Sequence, residues 1–188
     1  MDDADDAPTF TVFAGDRRLT HGDLVMAALA AKAASEAGDS VLVFDDASAR
    51  PRDLDLRGSE AEVRARMLAP PPPVKRGPGR PKLGVSAREV TLLPRHWDWL
   101  ASQPGGASAA IRRLVDEARR TPSPAARIRQ GRELAYRFIT TMAGNREHYE
   151  EAVRALFAGD GARFGELIAG WPADVREHAV KLAGEGLG

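Results

Sequence analysis

Apolar positions along this chain change period several times, and each change marks a predicted element. In "TFTVFA" the residues alternate, placing Phe10, Val12 and Ala14 on one face of a strand, and Gly15-Asp16 turns the chain into a second short strand near Arg17–Thr20. Asp23 has the chemistry of an N-cap for a helix that runs through Ala37 and stops before Gly38. "VLVF" (Val41–Phe44) is a short apolar strand, and the alternation of Leu54 and Leu56 predicts a fourth. "SEAE" at Ser59–Glu62 has capping-box spacing and starts a short helix to about Leu68.

A strand pair, a helix and a second strand pair predict a small β-grasp-like layer over residues 1–69. Four prolines, Pro70–Pro73, then favour an extended spacer and the clearest boundary in the chain. Residues 70–85 read as a Pro-rich basic linker. Beyond it the period becomes helical. Val90–Leu93 is a strand candidate, and Pro94 suits the first turn of a helix with Trp97, Leu100 and Ala101 on one side. "QPGG" breaks that helix. Ser108 is the expected cap of a second one, in which Ala110, Ile111, Leu114, Val115 and Ala118 share a face. Arg112–Asp116, Arg113–Glu117 and Asp116–Arg120 are i,i+4 pairs on its other side. Residues 86–121 form this segment, and residues 122–188 read as a C-terminal helical bundle. Its stripes are Ile128/Leu134/Phe138/Ile139/Met142, Tyr149/Val153/Leu156/Phe157, Phe164/Leu167/Ile168/Trp171 and Val175/Ala179/Leu182. The fold class is α+β.

Charge sharpens this picture. The formal net charge is zero, yet residues 70–130 hold 12 Lys/Arg against 4 Asp/Glu, while residues 1–69 hold 8 against 14. A cationic middle between acidic ends points to a polyanion partner. The chain has no cysteine, which excludes disulfide staples, thiolate metal sites and cysteine nucleophiles and suits a reducing cytosol. "MDDADDAPTF" lacks the apolar core of a secretory signal, and no apolar run approaches the ~20 residues that span a bilayer. A cytoplasmic protein without a membrane role is expected.

Two local resemblances follow. Strand, helix, Gly-containing turn and helix over residues 86–120 resemble a ribbon-helix-helix domain. That resemblance implies a homodimer, since one short strand needs a partner's strand to form the ribbon. It also implies a phosphate site at the turn, around Gly106, Ala107 and Ser108, with Ser108 the candidate anchor. The strand departs from the family pattern. Either Val90 and Leu92 face outward beside Arg88, or Glu89, Thr91 and Leu93 do, and neither phase gives a polar, cationic ribbon. "KRGPGRPK" resembles an AT-hook, whose core is Arg-Gly-Arg-Pro. Gly79, Arg80 and Pro81 match its second half, and Pro78 stands where the first arginine belongs. Arg76 and Arg80 are the candidates for an A·T-rich minor groove, Lys75 and Lys82 for phosphates, and Arg88 and Arg95 for further contacts.

Nearly end to end, the chain also resembles a bacterial domain-of-unknown-function family (2239). "VFAGDRR", "VLVFDD", "DLDLRGSEAEV", "GRPKLGV", "REVTLLPRHWDWL" and "FAGDGARFGELIAGWP" carry that likeness, which implies no activity. Catalytic signals are poor: His21, His96, His148 and His178 lack ligand spacing, Asp45-Asp46 reads as a turn cap, and "GDG" at Gly159–Gly161 lacks the remaining ligands of a calcium loop. No catalytic residue, metal or cofactor is expected. The function expected is DNA binding by a dimeric, nucleoid-associated or regulatory protein. The competing expectation is a non-catalytic adaptor that binds protein through its N- or C-terminal unit, with the linker as a spacer.

Overall fold

The computed structural model describes residues 7–69 and 88–188, in which a four-stranded antiparallel sheet is combined with eight helices. The chain divides into two compact units, one of residues 1–70 and 124–188 and the other of residues 71–123.

In the larger unit, β1 (Phe10–Ala14) and β2 (Arg17–Gly22) form a hairpin, followed by α1 (Leu24–Glu36), β3 (Val41–Asp45), β4 (Arg50–Pro51) and α2 (Glu60–Leu68). The strand order is β2-β1-β3-β4, with every neighbouring pair antiparallel. The β-grasp-like expectation thus reduces to a small antiparallel sheet with helices. Asp23 caps α1, its Oδ1 accepting from the N–H of Met26 at 2.8 Å. Ser59 and Glu62 close the capping box of α2, and the N–H and hydroxyl of Ser59 hold the Glu62 carboxyl below its usual range.

The fourth strand lies earlier than the Leu54/Leu56 alternation predicts. Asp45 caps the intervening turn by accepting from the N–H and hydroxyl of Ser48, and Ala49 takes a left-handed φ of 52°, so that Arg50 and Pro51 pair with β3. Leu54 and Leu56 instead pack beside α1 as part of the core.

The C-terminal helices follow the predicted stripes: α5 (Pro124–Ala143), α6 (Tyr149–Ala158), α7 (Gly161–Leu167) and α8 (Ala173–Ala183), closed by a 3₁₀ turn over Gly184–Leu187. They share a core with the sheet. Phe10, Val12 and Val43 face α1, whereas Phe13 and Phe44 face the other way and join Phe138, Ile139, Phe164, Trp171 and Val175. Period-two alternation buries both faces of β1, one under each helical layer. Polar ties cross the same seam: the N–H of Arg18 donates to Asp174 at 2.7 Å, Arg146 pairs with Asp16, and Arg137 donates to the carbonyl of Ser48 at 3.1 Å.

The smaller unit contains α3 (Pro94–Ala101) and α4 (Gly106–Arg120) packed as a hairpin. Residues 88–93 form no strand in the single chain. A lone strand has no ladder partner, so the ribbon expected over Val90–Leu93 requires another chain.

Candidate nucleic-acid interface

The hairpin starts where Leu93, in extended conformation, meets Pro94 in the first turn of α3. Proline's fixed φ and missing N–H cost nothing there. The helix ends at Ser102, whose hydroxyl bonds back to the carbonyl of Trp99 at 2.7 Å. Gly105 then takes φ +82° and Gly106 φ +72°, and a Cβ on Gly105 would stand 2.9 Å from that of Ala109. Glycine is required at this corner. It makes Gly105 the N-cap of α4, a correction to the expected cap at Ser108, which lies in the helix's first turn. The Ser108 hydroxyl is exposed and accepts from the Arg112 guanidinium at 3.3 Å. The N–H of Gly106 is bonded to the carbonyl of Gln103 at 2.9 Å, leaving Ala107 and Ser108 as the first-turn N–H groups nearest an incoming anion.

Of the eight residues expected to touch DNA, Arg88, Arg95 and Ser108 are described, and all three are exposed. Lys75, Arg76, Arg80, Pro81 and Lys82 lie outside the described residues. Electrostatically the two units differ. Within the larger unit cations are matched to acids, as in Arg18–Glu177, Arg127–Glu185, Arg137–Glu133 and Arg163–Glu166. Among the described residues, no ion pair engages Arg88, Arg95, Arg112, Arg113, Arg119 or Arg120, so the expected i,i+4 pairs of α4 are not closed.

An open apolar groove of about 450 Å³ runs along the hairpin. Ile111, Leu114, Val115 and Ala118 of α4 line one side, His96, Trp99 and Leu100 of α3 the other, with Leu92 at one end. The face predicted for α4 is the face observed. On α3 the stripe differs: Trp97 and Ala101 are exposed, and Trp99 turns to the groove instead. Spacing His96-Trp99-Leu100, an i, i+3, i+4 set, is the signal that finds this side. Burial is sparse. Leu100 and Ala110 alone are buried among the described residues of the hairpin, while Trp99, Leu114 and Val115 are 50%, 46% and 51% exposed.

Elsewhere, Asp46 accepts from the Thr11 hydroxyl at 2.6 Å and lies 3.1 Å from Nε2 of His21. His178, which carries no site signal in the sequence, is buried against Phe13 and Phe138. No pocket or further acidic group joins these residues into a reaction centre among those described.

Residues 9–183 match a protein family described as an uncharacterized protein conserved in bacteria (DUF2239). No curated protein and no solved structure matches the chain.

Proposed function

For a chain that belongs to this bacterial family, we propose DNA binding as a dimer, in a nucleoid-associated or regulatory role in the cytoplasm. The observation that carries this reading is the contrast between the units: arginines matched to acids in one, arginines without ion pairs in the other. Unpaired cations on a small surface raise the local potential and favour a phosphate backbone. The basic linker adds Arg76 and Arg80 for the minor groove and Lys75 and Lys82 for phosphates. The first turn of α4, with Ser108, is suited to one phosphate, and Arg88 and Arg95 extend the cationic surface.

Base readout by a ribbon is not part of this proposal. Leu92 lines the groove, so an alternating strand would turn Glu89, Thr91 and Leu93 outward, a face with an acid and no cation. The ribbon-helix-helix parallel is kept for the hairpin and the dimer, and specificity rests on shape and A·T-rich minor grooves.

The test is fluorescence anisotropy of the full-length protein on A·T-rich and G·C-rich duplexes across a salt series. Each phosphate contact contributes about −0.9 to the slope of log K against log salt. A steep slope, flattened in the Arg76→Ala/Arg80→Ala variant with loss of the A·T preference, is the expected result. Absence of binding at about 50 mM salt, where even non-specific contacts are favoured, refutes it. The adaptor reading then leads; the observation in its favour is the same open apolar groove, which fits a protein partner's helix.

A further inference from the structure

The second helix of the hairpin carries an order of chemistry that is its own complement. Outward from the point between Leu114 and Val115, one direction reads Leu114, Arg113, Arg112, Ile111 and the other Val115, Asp116, Glu117, Ala118. Apolar stands opposite apolar at the first and fourth steps, and cation opposite anion at the second and third. At ~100° per residue, Ile111, Leu114, Val115 and Ala118 form one stripe, with Arg112 and Asp116 along one margin and Arg113 and Glu117 along the other. Two such helices related by a two-fold axis through that point run antiparallel and bring like margins together. Each margin then sets arginine against acid.

We propose that the open groove is closed by the same groove of a second copy, α4 lying antiparallel on α4 about this axis. Arg112 then meets the second copy's Asp116, Arg113 meets the second copy's Glu117, and Leu114 and Val115 lose their half exposure against each other. An isologous interface needs a patch that complements itself, and here both the apolar stripe and its charged margins do. None of the four margin charges closes an ion pair among the described residues, and the groove is lined on both sides by apolar side chains without cover. The occupant that satisfies both features together is this chain. This deepens the dimer half of the reading above and stands whether or not the protein binds DNA.

The experiment is sedimentation equilibrium of the full-length protein without DNA, over a concentration series, with far-ultraviolet circular dichroism as a check on folding. The wild type is expected at twice the chain mass. Arg112→Glu/Arg113→Glu makes both margins acidic and Asp116→Arg/Glu117→Arg makes both basic. Each alone should weaken self-association on the order of 100-fold, because like charges now face one another. An equimolar mixture of the two should associate as the wild type does, and so should the chain carrying all four changes. That fourfold variant decides the matter if either double variant loses helix content. A monomeric wild type, reversed variants that still dimerise, or a mixture that fails to associate overturns the proposal. A dimer indifferent to these four charges gives the groove another occupant and overturns it equally. Loss of DNA binding in the anisotropy experiment leaves it untouched.

Discussion

Lowering the pH from about 6.5 to about 5 should destabilise the larger unit through one side chain, His178 on α8. Its ring lies 4.6 Å from that of Phe138 and 5.6 Å from that of Phe13, centroid to centroid, and the residue is 2% exposed. Nδ1 has no hydrogen-bond partner. Burial pushes the imidazole down to about 4; the Asp46 carboxylate pulls the other way, while Lys181, Arg18 and His21 add to the depression. The unfolded chain takes up a proton near the ordinary value of 6.5, and the folded chain resists until about 4. Stability is therefore complete above that ordinary value, falls as the pH falls through the window between the two, and levels off below it. At ~1.4 kcal/mol per pH unit, the loss by about pH 5 amounts to about 2 kcal/mol.

Urea unfolding of the wild type and of His178→Leu, at pH values spaced across this window, reads the effect. Fluorescence of Trp171, buried in the same core, reports the transition alongside Trp97 and Trp99. Leucine binds no proton, so the difference between the two proteins removes other titrating groups from the comparison. The wild type should lose about 2 kcal/mol more than the variant. Parallel pH profiles would show that the imidazole takes up its proton without cost, and the burial argument would fail.

Phe138→Ala should cost about 3–5 kcal/mol and lower a single cooperative transition, because this ring touches both Phe13 and Phe44 across the sheet–helix seam. Two separate transitions in calorimetry would refute a shared core. Gly131→Ala places a methyl group against the carbonyl oxygen of Ala183 on α8, and a loss of about 1–3 kcal/mol is expected in thermal melts. Ser59→Ala opens the capping box of α2 and should cost about 1 kcal/mol. Ser108→Ala should stay within about 0.5 kcal/mol of wild type, since Gly105 holds the cap position; a large loss there would restore Ser108 as a structural cap.

Helix boundaries were legible in the sequence because their causes are local. Asp23 and Ser59 bond to N–H groups three residues on, and Pro94 sits in the first turn of α3, whatever lies around them. Glycines mark stops for the same reason, although Gly105 rather than Ser108 turned out to hold the cap of α4, since only the backbone conformation tells a cap from a first-turn residue. The apolar face of α4 was equally plain, as was the concentration of cations around it. What periodicity does not carry is the identity of the surface that each face meets.

That distinction decides the rest. Phe10, Val12 and Ala14 read as the buried side of a strand, but Thr11 and Phe13, on the opposite side, are buried as well. A strand covered on one face and a strand covered on both share the same alternation. Only the arrival of α5 and α8, more than a hundred residues later, makes β1 the central layer and draws His178 out of water. The sequence by itself determined where the chain bends, which stripes are apolar and where positive charge gathers, because these depend on neighbours within a few residues. The tertiary structure alone decided which stripes are covered, joining the N- and C-terminal segments in one core and leaving the hairpin's groove open, because burial depends on contacts between residues distant along the chain.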